Sequence, residues 1–526
     1  MLTIRQRRQA IALAITPQKE QTVRELARAT GIPKSSVHRH QQALKQRHQH
    51  PESPFWDTGA GGDWLQRLVV AAIYVFGIKR GVGAESLSEF FEVLRIHHHI
   101  GVSVASLRKI QHQLEAKILN YHSEQQVSLH QASKSGPTVC VGIDETWFDQ
   151  TVLVMMELSS GYLLVEETAA DHRYTTWQSA VETMLKQWRG HIHYCVNDRA
   201  KALIKLALND LGCPSIADLF HAMRQLTRGL ALELDHRLLH LQRRLREGQP
   251  PKGQGGPDNP VLPTELNRTQ KAQADFREHL MDISLVLHPF DVETHVAQTT
   301  QQVSTKLTQQ VIALKAFKQT HRLKDAPGGI DQFSRQVDDL TAVVDLWWQW
   351  VHQSLDPHAL SPSLTDWITQ HLLPQCYWHA QTQRTDTAAL KTQYQRAYQQ
   401  TQVALQSHPF TATLPEETYG YWLAWAQDMV TKFQRTTSAV EARNGYLSQV
   451  HHNRRGLSTR QLKVLTVIHN FDLQRADGST AAERLFKRPH PNLFQTILDQ
   501  MPQLPLPRKR SKAPVSQTPA SLTVPA

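Results

Sequence analysis

Four cysteines in 526 residues, Cys140, Cys195, Cys213 and Cys376, lie far apart and form no Cys-x-x-Cys pair. Neither a disulfide framework nor a zinc ribbon is encoded. Long apolar runs are missing too: the longest, LVVAAIYVFGI from Leu68 to Ile78, falls short of the ~20 residues that a membrane helix needs. The N-terminus lacks the basic, apolar, small-residue order of a signal peptide. These absences predict a soluble protein of a reducing, cytoplasmic compartment. Acidic residues are the third deficit, 47 against 58 Lys and Arg for a formal charge of +11, which points to a polyanionic partner. The length predicts roughly two to four domains.

The acids are scarcest in two places. Residues 1–50 hold ten Lys and Arg against Glu20 and Glu25, and residues 431–470 hold seven against Glu441 alone. Within the first, TVRELARATGIPKSSVHRHQQALKQR has helix-turn-helix spacing: Ala27 where two helices touch, Gly31 in the turn and Val37 as an apolar anchor, with Leu26 and Ile32 beside them. That spacing puts Lys34, Ser35, Ser36, His38 and Arg39 on the early, outward part of a recognition helix, suited to phosphate and base-edge contacts. His40 occupies a position expected to be apolar. A helical hairpin for protein contacts is the alternative. Further on, SEFFEVLRIHHHIGVSVASLRKIQHQLEAKI places Ile96, Ile100, Val102, Leu107 and Ile110 around Gly101 as in a second such unit or a plain helical spacer. His97, His98 and His99 diverge by about 100° per residue on a helix and cannot converge on one metal ion.

From about residue 139 the pattern changes. TVCVGIDETWF, TVLVMMEL, YLLVEETA, HIHYCVND and SIADLFH read as strands, with TTWQSAVETMLKQWR and RAKALIKLALNDLG as intervening helices. The order β-β-β-α-β-α-β predicts a mixed five-stranded sheet in an α/β domain. Between 222 and 430 only amphipathic helical patterns recur, interrupted by the Pro/Gly-rich EGQPPKGQGGPDNPVLP, read as a mobile loop. Trp347, Trp348 and Trp350 read as core, and a basic, Pro/Ser-rich tail reads as disordered. The expected organisation is a DNA-binding domain at 1–50, a helical region at 51–135, a catalytic core at 136–225 and 431–490, an all-helical insertion at 226–430, and the tail at 491–526.

Asp144 is expected to end the first strand and Asp198 the fourth. Two aspartates at neighbouring strand ends can approach one point and suit Mg²⁺ or Mn²⁺. A third carboxylate would complete a two-metal site for phosphodiester chemistry. Glu441 is the candidate, on a helix expected to run from about Glu416 into the 440s with Arg435, Ser438, Asn444, Gly445 and Ser448 near its face. The bland alternative is a surface acid paired with Arg435 or Arg443, which contributes little. Should Glu441 fail, Glu416 and Glu417 stand next.

The blocks VGIDETWF, HYCVNDRAKAL and RTTSAVEARNGYLSQVHHNRRGL resemble the three acidic motifs of the Asp-Asp-Glu transposases of bacterial insertion sequences. The spacings are 54 residues from Asp144 to Asp198 and 243 from Asp198 to Glu441. The resemblance covers about 139–225 and 430–475. It implies a ribonuclease H-like core, two Mg²⁺ or Mn²⁺ ions with Asp144 bridging them, Asp198 on one and Glu441 on the other, and a helical insertion before the glutamate. Glu145 and Asp149 are rivals for the first role. ADLFH resembles a string in some relatives that makes Asp218 and His221 accessory groups or structural ones. Asn197, Arg199, Arg443 and Asn444 become candidates for supporting or DNA-backbone contacts, and Arg454, Arg455, Arg460 and Lys463 for phosphate contacts. The implied partners are double-stranded element ends and target DNA, bound by a homodimer or larger assembly in the bacterial cytoplasm. A nuclease or resolvase without strand transfer, and a transposase-derived DNA-binding regulator, are the rivals.

Overall fold

The computed structural model describes residues 4–15, 21–47, 50–132, 136–247, 261–325 and 328–507. The chain divides into two compact units, one formed by residues 1–127, 447–472 and 489–526, the other by 128–446 and 473–488. Among the described residues no helix is long and apolar enough to cross a membrane. All four cysteines are buried and free.

In the first unit, helices Ile4–Ala14, Val23–Thr30 and Lys34–Arg47 close on a core of Ile11, Leu26, Ile32, Val37 and Leu44. Thr22 starts the second helix with a capping box: the Glu25 N–H donates to Thr22 Oγ1, and the Thr22 N–H donates to Glu25 Oε2. Gly31 ends it at φ 65°, the left-handed turn that a side chain resists. Lys34, Ser35, His38 and Arg39 are exposed on the third helix. Ser36 is buried, which corrects its expected outward position: in the first helical turn it shares the inward side with Val37 rather than that of Lys34 and His38.

The second candidate helix-turn-helix has the expected apolar residues but another geometry. Ile96, Ile100, Val102, Leu107 and Ile110 are all buried, yet helices Ala84–Val93 and Val104–Ala132 are joined by a long connection that includes a 3-10 turn at Ile96–His98. Gly101 is needed for a different reason: its N–H donates to the Pro505 carbonyl at 2.6 Å, and a Cβ there would lie 3.0 Å from the Leu506 carbonyl oxygen. Of the histidine run, His99 is buried 3.9 Å from Asp57. The tail expectation also needs correction, because Asn492 caps a helix at Leu493–Gln500 with Leu493 and Ile497 buried; residues 508–526 lie outside the described residues, as do 248–260 of the loop expected to be mobile.

The second unit holds a mixed five-stranded sheet in the order β3-β2-β1-β4-β5. Its strands are β1 Thr138–Trp147, β2 Thr151–Glu157, β3 Tyr162–Ala169, β4 His191–Asn197 and β5 Ser215–Ala217. β1 pairs antiparallel with β2 and parallel with β4, through Gly142 opposite Val196. β1 and β2 are buried almost throughout, as expected for central strands with both faces covered. β5 is shorter than expected: the chain turns at Asp218 into the helix Leu219–Arg246. From there to the helix Glu416–Thr431 the described residues are helical, apart from short connections and one isolated bridge between Phe290 and Ala297. Trp347 and Trp350 are buried in this region.

Candidate metal centre

The single helix expected to carry Glu441 is two. Glu416–Thr431 ends, residues 432–437 run without helix, and a new helix begins at Ser438. The intervening segment is pinned to the sheet. Tyr194 on β4 donates its hydroxyl to the Lys432 carbonyl at 2.7 Å and accepts the Gln434 N–H at 2.9 Å. The Leu219 N–H donates to the Arg435 carbonyl at 3.0 Å. Asp218 accepts the Thr437 N–H and its hydroxyl. Glu441 therefore enters in the first turn of its helix, where a carboxylate suits the positive end of the dipole.

Asp144, His221 and Glu441 each offer one ligand atom, and these atoms lie within 4.8 Å of one another. Asp144 is buried on β1, three residues before the strand ends rather than at its end. Asn444, one turn after Glu441 on the same helix face, donates from Nδ2 to Asp144 Oδ2 at 3.2 Å. Its Oδ1 is buried with no hydrogen-bond partner. His221 Nδ1 lies 2.5 Å from Asp218 Oδ2, and its Nε2 lies 3.5 Å from Glu441 Oε1. A carboxylate behind one imidazole nitrogen fixes the ring and presents the other, the arrangement that supports metal-bound histidines. Two carboxylates, one imidazole with such support and an unsatisfied amide oxygen form a donor set that fits a divalent ion.

Asp198 does not join this group. Its carboxylate accepts the Ala200 N–H at 2.8 Å, in a turn where Arg199 takes φ 70°. The backbone nonetheless brings it close: β1 and β4 are paired at Gly142 and Val196, and Asp144 and Asp198 each lie two residues further on. Glu145 faces away from Asp144, as strand alternation requires, and accepts from Trp177 Nε1 at 2.9 Å. Burial pushes its carboxyl up, and the Asp198 charge adds to this. Asp149 is exposed in the β1–β2 turn, and Glu416 and Glu417 are exposed at the start of their helix.

Several expected DNA contacts are internal instead. Arg443 and Glu166 form a two-pronged ion pair at 2.7 Å with side chains 1% and 0% exposed. Asn444 is buried against Asp144. Arg199 spans Ser215 and Asp339, and Asn197 is buried on Ser215. Arg435, expected near the Glu441 face or paired with that acid, donates to the Leu287 carbonyl. In the first unit, Arg454 donates to the Gly77 and Ile78 carbonyls at a helix end, whereas Arg460 is exposed and lies 3.4 Å from Glu115. Arg455 and Lys463 are exposed. Sequence reasoning missed Glu166, Trp177 and Thr437. A carboxylate inside the apolar pattern of YLLVEETA was the readable sign of the first.

Burial, reinforced by the Glu441 charge and opposed by His221, pushes the Asp144 carboxyl up to about 8. The hydrogen bond to Asp218, aided by the nearby carboxylates and opposed by burial, pushes His221 up to about 9. Both groups hold protons more tightly in the folded chain than in the unfolded one, so their contribution to stability declines as pH rises. For His221 it is complete below its unfolded value of 6.5 and lost through about 9; for Asp144 it declines from 3.8 to about 8. The shared window belongs to the cluster as a whole. Without divalent ions, the melting temperature should fall between pH 6.5 and 8, and Asp144→Asn should reduce that slope while leaving the share of His221, which Asp218 sets. An unchanged slope in the variant would assign it to other groups.

No curated protein matches the chain. Residues 368–513, which include Glu441 and Asn444 but neither Asp144 nor His221, match a family of unknown function, DUF6399. Residues 12–47 match the IclR helix-turn-helix domain, which supports DNA binding by the N-terminal helices.

Proposed function

We propose that the protein is a DNA transposase of the Asp-Asp-Glu type, which hydrolyses phosphodiester bonds at the ends of its element and joins the 3′-hydroxyl ends to target DNA. The observation that carries this reading is the meeting of Asp144 and Glu441, 297 residues apart in sequence, with His221 at one point beside a mixed five-stranded sheet. Asp144, Glu441 and His221 would hold one divalent ion and Asp144 with Asp198 a second. Mg²⁺ or Mn²⁺ there would supply the Lewis acidity that activates a nucleophile and steadies the leaving oxygen.

The remaining roles fall to the chain itself. Asp218 orients His221, and Asn444 holds Asp144. Ala442 and Gly445 are exposed on the Glu441 helix, and a Cβ on Gly445 would meet nothing within 4 Å, so a DNA backbone can come close. Lys34, Ser35, His38 and Arg39 are presented for element ends, with Arg455 and Lys463 as further phosphate contacts. Two ends must be joined, so a dimer or larger assembly on DNA is expected.

A pre-cleaved element end incubated with plasmid and Mg²⁺ should yield a joined product. Cleavage without joining would instead identify a nuclease or resolvase. The helix-turn-helix match favours one further reading, a DNA-binding regulator, which would bind ends but give neither product.

A further inference from the structure

A second concentration of charge lies within the helical insertion. The helices Leu219–Arg246, Val261–Val286 and Thr300–Thr320 contribute to a recess of about 670 Å³. Arg237, Arg244, Arg268 and Arg322, with His240 and His321, line it against one carboxylate, Glu265. Helical spacing explains the clustering, because positions 237, 240 and 244 share a face.

The arginines are not equivalent. Arg237 is committed to the fold: it donates to Glu233 at 2.8 Å and to the His321 and Arg322 carbonyls at 2.8 and 2.6 Å. In doing so it fastens the end of the third helix to the first. Arg244 Nη2 is buried with no hydrogen-bond partner, a condition that costs free energy unless a ligand relieves it. Among the described residues, Arg244, Arg268 and Arg322 have no carboxylate within ion-pair reach. Burial, joined by the Arg268 charge and, less strongly, that of Arg237, holds His321 below its ordinary value against the opposing charge of Asp275. Guanidinium groups match phosphate oxygens in pairs, and a concave cationic surface concentrates anions.

We propose that this recess binds a phosphate group through Arg244, Arg268 and Arg322, with Arg237 as the positioning residue. The chemistry is shared by a free polyphosphate and a DNA backbone, and the site stands whether or not the acidic cluster cuts DNA. The test uses the full chain and two probes: inorganic pyrophosphate by calorimetry, and a short duplex of arbitrary sequence by anisotropy over a range of salt. If the ligand is a free polyphosphate, Arg244→Gln/Arg268→Gln should bind pyrophosphate at least about tenfold more weakly. If it is DNA, the variant should instead lower the salt slope of duplex binding by about one to two.

Lys391→Gln/Arg396→Gln removes the same charge from exposed positions elsewhere in the insertion and should change neither measurement. The single exposed change Arg268→Gln should move the same probe in the same direction, so the test survives if the pair does not fold. Arginine variants that bind both probes no worse than the Lys391/Arg396 control would overturn the proposal.

Discussion

Glu441→Gln should reduce cleavage of an element end by at least about a thousandfold, because metal assistance supplies several kcal/mol of transition-state stabilisation. The substitution keeps shape and helix position and removes only the charge. It should therefore spare end binding, which the proposed function assigns to the N-terminal helices, and should abolish the calorimetric signal of Mn²⁺ binding at the cluster. Asp198→Asn should also lose cleavage, although the aspartate stands outside the three-residue group, since Asp144 and Asp198 follow the same paired register on β1 and β4. Wild-type cleavage in Glu441→Gln would sink the proposed ligand set. Loss of cleavage with unchanged Mn²⁺ binding would remove Glu441 from the ligands while keeping it in the site.

The second large effect concerns stability. Arg443→Met should cost about 3–5 kcal/mol, because it removes the guanidinium that balances a Glu166 carboxylate with no exposure. Arg443→Met/Glu166→Leu should recover most of that loss, since an apolar pair of similar volume buries no charge. Ten of the twelve tryptophans lie between residues 147 and 425, so urea unfolding followed by their fluorescence reports on the unit that contains the pair. A single-variant loss below about 1 kcal/mol would show that the pair is solvated, with Arg443 again available to DNA.

Strands and helices were legible because hydrophobic period and turn residues act locally. The order β-β-β-α-β-α-β could be read from alternation and from helix stops such as Gly212. The convergence of Asp144 and Glu441 was stated as a requirement of the chemistry, and the sequence contained nothing local that could enforce it. The misses share a cause. Arg443 and Arg454 looked available to DNA because charge is visible in a sequence while its partner is not. Glu166 lies 277 residues from Arg443, and the Gly77 carbonyl lies 377 from Arg454. The third member of the cluster was legible only in part: ADLFH marked Asp218 and His221 as accessory or structural groups, and the structure places Asp218 behind the His221 ring and Glu441 in front of it.

The bonds from Asp218 to Thr437 and from Leu219 to Arg435 give the insertion a closed neck. The chain leaves the sheet at residue 218 and returns within hydrogen-bond distance of its own departure, so the path between is a detour whose length the metal centre does not sense. The entropic cost of closing a longer excursion grows only logarithmically with its length. Helices other than those bonded to the sheet or the neck, as Leu287, Asp339 and Leu346 are, could be gained or lost there without moving His221 or Glu441. The cost falls on folding rate instead, because a longer excursion raises the sequence separation of contacts such as that between Asp218 and Thr437.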